Sequence, residues 1–166
     1  MKRTIFGIVG FFALLLASSA FTQRVTAPAV GYMAPALSVG NDDSEDAASL
    51  SALRGSYVIL SFWNSSQADS RLAMNQYQHW FDSRLPSSAE QKIAMIGVNL
   101  DSNARMFEEI VKRDRLDRAN QYNLVGEKAA FVVENFQLSD KVKSFLIDPE
   151  GRIIAVNPTP EQLSKI

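Results

Sequence analysis

Ser70 and His79, nine residues apart, are the first pair in this chain that invites a chemical reading, a hydroxyl nucleophile and its base. A hydrolytic serine needs that base in contact with its oxygen. Both residues fall within one helical pattern, where nine steps of 100° set them about 180° apart around the axis and roughly 13 Å apart along it. They cannot form a dyad, so Ser70 is expected to cap the helix and His79 to face solvent. Metal chemistry is as poorly supplied. His79 is the only histidine and there is no cysteine, which leaves a four-ligand zinc site without donors. Asp42, Asp43, Glu45 and Asp46, in the stretch Asn41 to Ala48, offer hard oxygen atoms suited to calcium. Their spacing lacks the EF-hand pattern and its central glycine, so the stretch reads as a solvated loop. The glycines are scattered and form no phosphate cradle. Lys112, Arg113, Arg115 and Arg118 alternate with Asp114 and Asp117, the mixed charge of a solvated helix end. None of these groups calls for a cofactor or a metal.

The amino terminus reads as an export signal. Lys2 and Arg3 precede an uncharged apolar run from Thr4 to Ala17, and Ser18-Ser19-Ala20 supplies small residues for cleavage before Phe21. The alternative is an uncleaved inner-membrane anchor over residues 4–20, near the lower length limit for a spanning helix. Residues 21–30, which include Pro28, are expected to be a flexible spacer, and residues 31–166 a single domain long enough to bury a core. The leader carries two of the 17 basic residues, leaving 15 against 18 acidic and a net charge of −3. That balance gives no electrostatic case for nucleic acid, and a membrane contact is expected only if the leader is retained. Export leads to an oxidising compartment, the periplasm, yet a chain without cysteine can form no disulfide there and no lipid-anchored cysteine.

The elements that position the candidate residues follow from the apolar pattern. Tyr57 to Trp63 is a nearly continuous apolar run, as in a central strand covered on both faces. A helix follows, capped by Asp69 or Ser70, with Ala73, Tyr77, Trp80 and Phe81 on one face. Ile93 to Val98 is the next strand. Asp101 to Asn103 supply cap candidates for a helix whose Phe107, Ile110 and Val111 make a narrow apolar stripe. A short helix over 127–136 and strands near 143–147 and 152–156 come next, the strands joined by Asp148-Pro149-Glu150-Gly151 in a type I turn. A helix from Pro160 to Lys165 closes the chain. Strands alternating with helices and ending in a hairpin predict an α/β fold, a mixed sheet with helices on both faces.

Five strings carry a resemblance. Gly31-Tyr32-Met33-Ala34-Pro35, Leu50-Ser51-Ala52-Leu53-Arg54-Gly55, Val58 to Arg71, Gly97-Val98-Asn99-Leu100-Asp101 and Phe145-Leu146-Ile147-Asp148-Pro149-Glu150-Gly151-Arg152 occur in order over most of the chain. Together they resemble periplasmic thiol-disulfide oxidoreductases of the thioredoxin superfamily, the TlpA-like or redoxin group. That resemblance implies a thioredoxin-like fold, with Trp-Cys-x-x-Cys-Arg after the central strand and a cis-proline facing the cysteine pair. Here Gln67 and Ser70 stand at the two cysteine positions, Ser66 at the tryptophan before them and Val142 at the cis-proline. An amide and a hydroxyl supply neither the thiolate nor the second sulfur of dithiol exchange. A non-proline cis bond costs roughly 2.5 to 4 kcal/mol, so Val142 is expected to follow a trans bond. Trp63, Ser66, Gln67, Ser70 and Val142 are then expected to line a groove that takes a protein or peptide partner without redox chemistry, with a place in the core the equal alternative for the Trp63 ring. Asn75, where relatives carry a kinking proline, is expected to leave its helix straighter. Thiol-disulfide or antioxidant turnover is the alternative that the family alone suggests.

Overall fold

The computed structural model describes residues 27–40, 47–84, 92–138 and 141–166. The expected leader, residues 21–26 of the expected spacer and the carboxylates from Asp42 to Asp46 lie outside the described residues. In chain order the elements begin with a small antiparallel pair, β1 (Ser38–Val39) and β2 (Ala48–Ser49), followed by β3 (Tyr57–Trp63), α1 (Ala68–Arg84), β4 (Ile93–Asn99) and α2 (Ala104–Arg113). A 3₁₀ turn at Arg118–Asn120 leads into β5 (Gln121–Asn123), α3 (Gly126–Asn135), the hairpin strands β6 (Ser144–Ile147) and β7 (Ile153–Val156), and α4 (Pro160–Leu163).

The main sheet has the order β5-β4-β3-β6-β7. β3 runs parallel to β4 and antiparallel to β6, with Trp63 opposite Asn99 and Val58 opposite Ile147. The apolar run of β3 is explained by two cores. Val58, Leu60 and Phe62 point into one, with Val132 and Phe136 of the α3 side, while Ile59 and Trp63 point into the other, with Met74, Tyr77, Phe81 and Phe107. A strand covered on both faces has no solvent side for polar residues. Its one serine, Ser61, is buried and paired at 2.9 Å with Ser144 Oγ on β6. Rings of Phe62, Phe136 and Phe145 meet in tilted and edge-to-face contacts with centroids 4.9 to 6.2 Å apart, and burial of each such side chain contributes about 1.5–3 kcal/mol.

The predicted helices and strands are present, with boundaries shifted by a few residues. β1, β2 and β5 were not legible, because two or three residues show no alternation and Gln121-Tyr122-Asn123 is mostly polar. The buried face of α1 is Ser70, Met74, Tyr77, Gln78 and Phe81, rotated from the predicted stripe. Ala73 and Trp80 sit at its margin, partly buried. Gln78 takes a core position because its amide is satisfied there, donating to Asp82 Oδ1 and accepting from Asp117 N–H. α1 runs on as one helix through Asn75, whose Nδ2 donates to Arg71 O at 2.9 Å. The 148–151 turn closes as expected, Gly151 N–H donating to Asp148 O at 2.8 Å with Gly151 at φ +82°, a conformation that favours glycine. Tyr32 and Met33 pair with the start of β7 and cover part of that sheet edge.

Candidate functional site

The site is built where β3 ends and α1 begins. Asn64 Oδ1 accepts from Gln67 N–H at 2.9 Å and from Ser66 Oγ at 2.9 Å, so one amide side chain shapes the loop and satisfies a free donor at the helix start. Asp69 and Ser70 therefore lie inside the first turn of α1 rather than capping it, which corrects the expectation from sequence. The Ser65 backbone and hydroxyl both donate to the Asp101 carboxylate, at 2.9 to 3.1 Å. Asp101 is held in turn by Asn99 Nδ2, and Asn123 Nδ2 donates to Asn99 Oδ1 and to Asp101 O. Of the three cap candidates it is Asn103 that caps α2, accepting from Met106 N–H at 3.2 Å. Asp101 buttresses the 64–66 loop instead.

The residues at the cysteine positions have structural employment. Ser70 is 9 % exposed. Its Oγ donates to Gln67 O at 2.7 Å and accepts from Asn64 N–H at 3.3 Å. Gln67 is half-buried and its Oε1 accepts from Val142 N–H at 3.3 Å, tying the start of α1 to the segment before β6. Val142 is buried, and the Lys141–Val142 bond is trans, as no cis peptide bond occurs among the described residues. A proline at 142 would carry no N–H, whereas valine brings a buried donor that needs a partner. Gln67 is that partner.

Ser66, Gln67, Ser70 and Val142 thus come together, and Trp63 does not line the surface they form. Its ring is fully buried, packed at 5.9 Å on Phe107, and its indole N–H donates to Gln121 Oε1 at 3.1 Å. Of the two readings of Trp63, the core role holds and the groove role is corrected, because a central strand end covered by α1 and α2 leaves a large ring no route to solvent. Sequence reasoning missed Asn64 as the loop's organiser and Gln121 as the buried partner of Trp63. A polar residue at each strand end was the only signal for either.

No base faces Ser70. His79 is exposed on α1 while Ser70 lies on the buried face, as half a turn of helix requires. Lys141 Nζ and Asp69 Oδ2, each next in sequence to a site residue, are 3.7 Å apart and both well exposed, a pair of little energetic weight. Among the described residues no cluster of His, Asp and Glu could hold a metal ion. The basic stretch is solvated as expected, Lys112, Arg113, Arg115 and Arg118 all being exposed, and only Asp114 among its charged residues is partly buried. Asp114 pairs with Arg71 of α1 and with Arg113, and Arg118 lies 5.3 Å over the Phe107 ring while donating to Gln121 O. Partial burial pushes the Asp114 carboxyl up, but the hydrogen bonds and positive charges of Arg71 and Arg113 outweigh it and hold it below its ordinary value.

A parallel-antiparallel sheet with helices on both faces and a loop-to-helix site at the end of the central strand defines a thioredoxin-like protein, here without sulfur at the redox positions. The family model described as AhpC/TSA family matches residues 30–156, and the chain belongs to that family. A thioredoxin-like protein from Parabacteroides distasonis is 30 % identical, with 84 % of this chain and 94 % of that one covered at a TM-score of 0.67. A thiol-disulfide oxidoreductase from Bacteroides fragilis is 25 % identical, with 81 % and 96 % covered at 0.60. The thioredoxin domain of a thiol-disulfide oxidoreductase from Bacteroides vulgatus, 23 % identical with 82 % and 94 % covered at 0.67, shares the fold. No curated protein matches the chain. Among the described residues no helix is long and apolar enough to cross a membrane.

Proposed function

We propose that this is an exported, periplasmic thioredoxin-fold protein that performs no thiol-disulfide exchange and serves as a binding or accessory module. The observation that carries this reading is the Gln67 to Val142 hydrogen bond. At the position where dithiol chemistry needs a thiolate, a carboxamide is engaged in holding the neighbouring segment, and the hydroxyl at position 70 is spent on backbone groups. Dithiol exchange requires two sulfurs that alternate between thiol and disulfide, and the chain contains none in cysteine form. The exposed part of the same surface, Ser66 with the edge of Gln67, is where an extended protein or peptide segment would meet hydrogen-bonding groups. Membership of the AhpC/TSA family favours the alternative, an antioxidant or disulfide-exchange activity, but fold and family do not supply the missing atoms.

Insulin reduction with dithiothreitol, and peroxide reduction, decide between them. The purified protein is expected to give no turnover above a protein-free control. Turnover that co-elutes with the protein through a second column would sink the non-catalytic reading.

A further inference from the structure

A second concavity, of about 660 Å³, lies between the β1–β2 segment, α3 and the sheet, and shares no lining residue with the Gln67 site. Its volume is in the range of small-molecule sites, which run to roughly 300–1,000 Å³. The floor is core: Leu37, Leu50, Val58, Val132 and Ile147 line it and all are at least nine-tenths buried. Phe131 of α3, which also lines it, is 56 % exposed, an uncovered ring beside an apolar cleft.

The charges at the cavity are not equivalent. Asp148 is committed to its turn, Oδ1 accepting from Arg152 N–H at 2.7 Å. Glu127 occupies the first turn of α3, where a carboxylate complements the helix dipole. Arg54 and Lys128 also line the cavity and make no ion pair among the described residues. Arg54 is exposed and its side chain reaches across to Gly151. Its guanidinium rests against Gly151, in space that a side-chain carbon on that residue would take. An apolar floor with a guanidinium at its edge that makes no ion pair among the described residues complements a ligand with an apolar body and one anionic end, since guanidinium binds carboxylate through paired, charge-assisted hydrogen bonds.

We propose that this cavity binds a small monocarboxylate with an apolar tail, its carboxylate on Arg54 and its tail along Leu50, Val58, Val132 and Ile147. The site is independent of the redox-site surface, so it stands whether or not that surface binds a partner.

Decanoate and decanol, titrated calorimetrically into the full chain and into Arg54→Gln, test it, with backbone amide shifts followed in the same titrations. Arg54 is exposed, so its replacement leaves the core intact, and an unchanged Tm verifies this. One decanoate per chain is expected, bound about ten-fold more tightly than decanol, with Arg54→Gln lowering decanoate to the level of the alcohol. Shift changes are expected at Leu50, Val58, Val132 and Ile147. Absence of decanoate binding, equal affinity for the alcohol, an Arg54→Gln variant that binds decanoate as tightly as the parent, or shifts confined elsewhere would each overturn the proposal.

Discussion

At the scale of residues, Gln67 and Val142 are best understood as one unit. The buried Val142 N–H needs an acceptor, and Gln67 Oε1 supplies it. A net contribution of about 1 kcal/mol is typical of such a bond, and the cost of leaving the donor unpaired is about 1–3 kcal/mol. Restoring sulfur therefore has a structural consequence as well as a chemical one. Gln67→Cys with Ser70→Cys places two sulfurs at the start of α1, where the two residues are already joined through Ser70 N–H and Gln67 O at 3.0 Å. The pair is expected to close an internal disulfide under mild oxidation, and the helix N-terminus to lower the thiol pKa at position 67. It should reduce insulin poorly and unfold more readily than the parent, because the Val142 donor is orphaned. Adding Val142→Pro removes that donor, and should recover part of the stability and raise the insulin rate by several-fold, read by denaturation and turbidity assays. A double variant that closes no disulfide would show that positions 67 and 70 do not retain the inherited geometry, and one that is fully active without the proline would remove Val142 from the explanation.

At the scale of elements, β4 and β5 hold the base of the site through Trp63. Gly97 on β4 lies beneath the Gln121 amide, where a side-chain carbon would collide with it, and that amide accepts the indole N–H of Trp63. Gly97→Ala is expected to cost about 1–3 kcal/mol by displacing Gln121 and leaving the buried indole N–H unpaired. Urea denaturation measures the loss, and a change in Trp63 emission in a Trp80→Phe background locates it; an unaltered midpoint would mean that Gln121 relaxes without cost. The tie between α1 and α2 depends on pH. Asp114 is held below its ordinary value of 3.8 by Arg71 and Arg113, so its contribution is present above that value and is lost as pH falls through and below it. Asp114→Asn should lower stability by about 1 kcal/mol at neutral pH and by progressively less as the pH falls below 3.8. A difference that stays constant over this range would exclude the ion pair as its source. Elements of this kind divide cleanly by legibility. β3 was readable because a strand covered on both faces is apolar throughout, whereas β5 was not, since Gln121 and Asn123 serve partners distant in sequence. The cysteine positions were found by register alone; that Ser70 and Trp63 are buried there depends on α1 and α2 packing over the strand end, which no local pattern records.

At the scale of the whole molecule, the fold has to be held without covalent help. Two apolar cores, one on each face of a single sheet, do this, and their order of strands and helices was legible from five strings in sequence. Where the molecule operates is a separate question, carried by residues outside the described ones. Lys2 and Arg3 ahead of an uncharged run to Ala17, and Ser18-Ser19-Ala20 before Phe21, have the three parts of a cleavable signal. About 17 uncharged residues also approach the length of a spanning helix, so cleavage and anchoring differ in one measurable respect. The periplasmic fraction should contain a species that begins at Phe21 by intact mass, and replacing Lys2 and Arg3 with neutral residues should reduce its yield by weakening the positive end of the signal. An intact chain from Met1 recovered in the membrane fraction, with no shorter species in the periplasm, would instead mean that residues 4–20 anchor the domain.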